Sequence, residues 1–119
     1  MSKEAAELAR KAVDVLRSKG HHKGKLQDER TGAVCLWGAV FEAADVDVAS
    51  SNADKFDRAY DRDPIRELRK FFRVLFEGSF TDKILHTTWP GAEYNDLQET
   101  TQEDVEKVLL QAADKLDVA

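Results

Sequence analysis

From Ala5 onward the apolar residues Leu8, Ala9, Ala12, Val13 and Leu16 recur at helical spacing, while Lys3, Glu7, Arg10, Lys11, Asp14 and Arg17 fill the positions between them. That period puts one apolar stripe on an amphipathic helix, predicted here over Ser2–Lys19. Ser2 stands where a helix is capped and Gly20 where one ends. A different pattern fills 34–44, which is apolar nearly all round until Glu42. A helix with no polar face belongs in the interior, so this stretch is predicted to be the buried central helix. Within it Cys35, Gly38 and Ala39 form a patch of small residues that lets another backbone approach. Close packing there offsets the cost of about 1 kcal/mol that a glycine carries in a helix interior.

Asp63 followed by Pro64 is a cap and a first helical position. It predicts a further helix, amphipathic, with the stripe Ile65, Leu68, Phe72, Leu75 and Phe76, widened by Phe71 and Val74 and stopped at Gly78. Near the end, Thr100 with Glu103 three residues on forms a capping box, and Thr101 with Asp104 is the alternative. The stripe that follows is Val105, Val108, Leu109, Ala112 and Leu116.

The intervals carry no such period. "GHHKGKLQDERTGAV", 20–34, is glycine- and turn-rich and predicts a loop with a short hairpin reversing beside Gly32. The polar stretch 45–63 is expected to be a linker with a short helix after Ser51. In 79–98, "KILHTTW" has strand-like content and "PGAEYND" turn chemistry, so an irregular connection that adds a strand to the hairpin is expected. The expected fold is therefore mainly α, a single domain over 1–119. It is a compact bundle of four to five helices around the buried helix at about 34–44, with a small β-hairpin or three-stranded element beside it.

Composition sharpens this. With 42% hydrophobic and 34% charged residues the chain is too apolar for disorder and too charged for a membrane interior. One cysteine cannot form an internal disulfide, and the charged, amphipathic N-terminal segment is unlike a signal sequence, so a cytoplasmic location is expected. The net charge of −5 is uneven: residues 1–26 hold seven Lys/Arg against three acids, and residues 93–119 hold two against eight. An acidic total argues against nucleic acid as the main partner, since phosphate neutralisation needs a concentrated basic surface.

Several short motifs occur in order: "GHHKG" (20–24), "GKLQDERTG" (24–32), "CLWGA" (35–39), "YND" (94–96) and "TQEDVEKVLLQAA" (101–113). In that order they resemble a family of small uncharacterised actinobacterial and phage proteins, known only as a domain of unknown function. The resemblance implies such an origin and supports the single-domain reading; it supplies no site residues. The chain departs from the family pattern at His21, where an aromatic residue is frequent, and in a longer segment before "YND".

Candidate chemistry is sparse. Cys35, the only cysteine, stands near a predicted helix start, where the macrodipole and free N–H groups favour a thiolate. With His86 as base and Asn95 orienting it, a thiol-dependent enzyme could be assembled, although the spacing is far shorter than in papain-like hydrolases. The apolar run around Cys35 favours packing instead. A zinc site from His21, His22, His86 and Cys35 lacks the close ligand pairs such sites show. Asp45-x-Asp47 opens like a calcium loop, but Ser50 and Phe56 stand where its glycine and closing glutamate belong. "GHHKGK" lacks the spacing and the Ser/Thr of a phosphate loop. No cofactor and no metal are expected.

What remains is surface. Arg66, Lys70 and Arg73, with Arg69 beside them, share a helix face in an acidic molecule, interspersed with Asp63 and Glu67. Trp89 precedes Pro90-Gly91, and Tyr94 follows shortly. The expected function is that of a small non-enzymatic interaction or accessory protein that binds a host or phage partner protein. The candidate binding residues are Arg66, Arg69, Lys70, Arg73, Trp89 and Tyr94. A nucleic-acid-binding regulator using the 66–73 face is the second alternative, after the Cys35 enzyme.

Overall fold

The alanine-rich stripe of the first segment becomes helix α1, Ser2–Lys19, in a computed structural model that describes residues 2–23, 27–28, 30–45, 63–76, 94–95 and 98–117. Helices α2 (Leu36–Ala43), α3 (Asp63–Phe76) and α4 (Gln102–Asp117) follow. Ala5, Ala6, Leu8, Ala9, Ala12, Val13 and Leu16 are all buried, and α1 packs against each of the other three helices, most extensively against α4. Small side chains along α1 let its neighbours come close, as ridge-and-groove packing requires.

The weight of the packing lies elsewhere than expected. The helix near 34–44 is expected at the middle of the bundle, whereas among the described helices α1 makes the most extensive contacts with the others. The reason is length. α2 has 8 residues and spans about 12 Å, against about 27 Å for the 18 of α1. Its burial is nonetheless complete from Leu36 through Phe41, as its apolar surface demands. Trp37 lies edge-on to Phe72 of α3, with centroids 5.8 Å apart and planes at 89°, and 5.9 Å from Phe41.

The expected hairpin is present only as isolated bridges. Among the described residues there is no strand, only single bridges from His21 and Gln27 to Val34. Asp28 closes the reversal itself: its carboxylate accepts from Arg30 N and Thr31 Oγ1, and Gly32, at φ 81°, donates to Asp28 O. A side chain that satisfies the turn internally leaves too few residues on either side to build a ladder. The linker helix after Ser51, the stop at Gly78 and the connection through 79–93 lie outside the described residues.

The last helix begins one residue later than the preferred capping box implies. Thr101 N donates to Asp104 Oδ2 at 3.0 Å and Asp104 N to Thr101 Oγ1 at 3.2 Å, so the reciprocal pair is Thr101 with Asp104. Thr100 is buried, and Glu103 instead faces Lys107 at 3.5 Å. Val74, expected to widen the apolar stripe of α3, is 71% exposed, whereas Ile65, Leu68, Phe72 and Phe76 are buried.

The uneven charge finds its explanation at the α1–α4 seam. Arg10 pairs with Asp117 at 3.1 Å and Arg17 with Glu106 at 2.9 Å, so the basic first segment meets the acidic last one. Gln102 Nε2 donates to Glu106 Oε2 and to Leu16 O, which completes the C-terminal turn of α1. Burial on its own would raise the Glu106 carboxyl, but the hydrogen bonds from Gln102 and Arg17 and the charge of Arg17 overcome it and hold the pKa below its ordinary value of 4.5. A carboxyl lowered on folding stabilises the fold above its unfolded pKa, and this contribution disappears as pH falls through the folded value. The melting temperature is therefore expected to drop as pH is lowered below about 4.5, and Glu106→Gln to flatten that slope. Thermal melts across pH would contradict this if the two proteins lost stability in parallel. No described helix is long and apolar enough to cross a membrane.

Candidate functional site

Two places hold the sequence-predicted residues: a buried polar junction at the start of α2, and the outer face of α3. The junction begins where α1 ends. Gly20, at φ 90°, donates to Leu16 O and turns the chain so that Val34 N donates to Gly20 O and His22 N to Val34 O. This holds His21 and His22 beside the entry to α2.

Asn95, 1% exposed, sits against that junction. Leu36 N donates to Asn95 Oδ1 at 3.0 Å, His21 Nε2 lies 2.8 Å from the same oxygen, and Asn95 Nδ2 donates to His22 O at 3.2 Å. The two backbone partners fix the amide, because Leu36 N–H only donates and His22 O only accepts. His21 Nε2 must then carry the proton, which leaves the lone pair of the neutral ring on Nδ1. Tyr94, half-buried, stacks against Phe76 at 5.1 Å, and Phe76 against Phe72 at 6.3 Å. The pair thus ties α3 through Tyr94 to the α1–α2 junction through Asn95. Burial, then the charge of Asp104, pushes the Tyr94 phenol up from its ordinary value.

Cys35 is the N-cap of α2, one residue before the first turn where the sequence pattern put it. Its extended backbone aims Sγ at the helix, where it accepts from Gly38 N at 3.3 Å. The thiol is half-buried and packs against the core, doing the work usually done by a serine or aspartate. Cys35→Ser is expected to leave stability unchanged or slightly raised, and Cys35→Ala to lower it by about 1 kcal/mol through loss of the cap. Urea titrations that rank alanine above serine would refute the capping role.

The proposed Cys35, His86 and Asn95 set is brought together only in part. His86 lies outside the described residues; among the described histidines, His21 reaches the Asn95 side-chain oxygen. The sequence marks His21 only as a candidate zinc ligand, not as a partner of Asn95. The signal that could have found it is the glycine directly before it, which turns the residue back toward Val34.

On the outer face of α3, Arg66 pairs with Asp63 at 2.6 Å, Arg69 is half-buried, and Lys70 and Arg73 are exposed. Lys70 lines a groove of about 410 Å³ with Glu67, Phe71 and Val74 of α3 and Leu116 of α4. Glu67 Oε2 is buried there and makes no hydrogen bond. Trp89 lies outside the described residues. Among the described residues no group of three or more His, Cys, Asp and Glu converges as metal ligands would.

No curated protein and no solved structure matches the chain. A family model matches residues 1–115, nearly the full length, so the motifs that converge on Asn95 and the helices that frame them fall within one described family. The chain belongs to DUF6197, a family of unknown function.

Proposed function

We propose that the protein is a non-enzymatic interaction protein that docks a partner protein along the outer face of α3. The observation that carries this reading is Val74, a large apolar side chain 71% exposed on a helix whose outer face also presents Lys70 and Arg73. Phe71 and Leu116 supply an apolar floor beside it. An apolar strip with a basic rim favours a partner helix with an apolar ridge flanked by acids, by area burial along the strip and charge complementarity at its edge. The single cysteine supports a cytoplasmic setting, and the order of motifs supports a phage or actinobacterial origin.

A synthetic amphipathic helix, with leucines at helical spacing between glutamates, is the probe. Fluorescence anisotropy is expected to show binding that weakens with salt, is lost in Val74→Asp and is reduced in Lys70→Glu. Equal binding by the wild type and Val74→Asp would overturn the reading.

A second reading is favoured by one contact. His21 lies on Asn95 Oδ1, which also accepts from Leu36 N, the residue after Cys35. A histidine oriented by an asparagine is one part of the arrangement a thiol-dependent enzyme uses. Rapid alkylation of the native protein by iodoacetamide at neutral pH, slowed by His21→Ala, supports it; alkylation only after denaturation overturns it.

A further inference from the structure

We draw no further inference here: the strongest candidate, the depression of about 260 Å³ lined by Glu4, Glu7 and Lys11 of α1, Asp45 after α2 and Pro64 of α3, is a cluster of acidic residues at which, among the described residues, no second observation points to a ligand.

Discussion

Trp37→Ala is expected to destabilise the protein by about 3–5 kcal/mol. Trp37 is 1% exposed and is the largest fully buried side chain among the described residues. It contacts Phe41 on its own helix and Phe72 on α3, so its loss opens a cavity between two elements. Those rings come from different parts of the chain, and neither can fill the space without moving the helix that carries it. Against a total stability of about 5–15 kcal/mol for an ordinary domain, such a loss is large. Urea unfolding followed by far-ultraviolet circular dichroism measures it, and Trp37→Phe, which keeps an aromatic ring, is expected to recover most of the difference. A loss under about 1 kcal/mol for the alanine variant would place Trp37 outside the core.

Asn95→Ala is expected to cost about 3 kcal/mol or more, although the side chain removed is small. Among the described residues the amide serves Leu36 N–H, the His21 ring and His22 O. Each buried polar group stranded by the substitution costs about 1–3 kcal/mol. The effect is local before it is global. Exchange of the Leu36 amide with solvent is expected to accelerate more than that of amides in the middle of α1. Asn95→Asp retains an acceptor for Leu36 and His21 but loses the donor to His22 O and buries a charge, so it is expected to remain well below the wild type. Unchanged Leu36 exchange in Asn95→Ala would mean that α2 is capped without it.

Three of the four described helices were legible because each carries a 3.6-residue apolar period and a stop or start signal, and α2 because its apolar run is unbroken. Ser2–Lys19 coincides with its expected span, and Ile65, Leu68 and Phe72 are buried as their spacing requires. Period alone does not report tertiary choice. The sequence prefers Thr100 with Glu103 as the capping box, but Thr100 is buried and the reciprocal pair is Thr101 with Asp104. Val74 lies at the edge of the stripe, where burial depends on what packs alongside, and nothing local decides it. Long-range polar contacts are the least legible. Its neighbours in sequence mark Asn95 as a turn residue, but Leu36, His21 and His22, which its side chain meets, are 59 to 74 residues away. In the candidate site, therefore, the residue types were visible and their meeting point was not.

The double capping of α2 has a consequence for the order of folding. Cys35 offers Gly38 N–H an acceptor from three residues away, while Leu36 N–H waits for an acceptor 59 residues further along. The local cap can form as soon as the first turn does. The remote one closes a long loop, at an entropic cost that must be met before the contact returns anything. α2 is thus half-secured early and completed only when 94–95 arrives, carried by Tyr94 on the aromatic rings of α3. Completion of this short helix and docking of the chain's last third become a single event, so the protein registers there whether its distant ends have met.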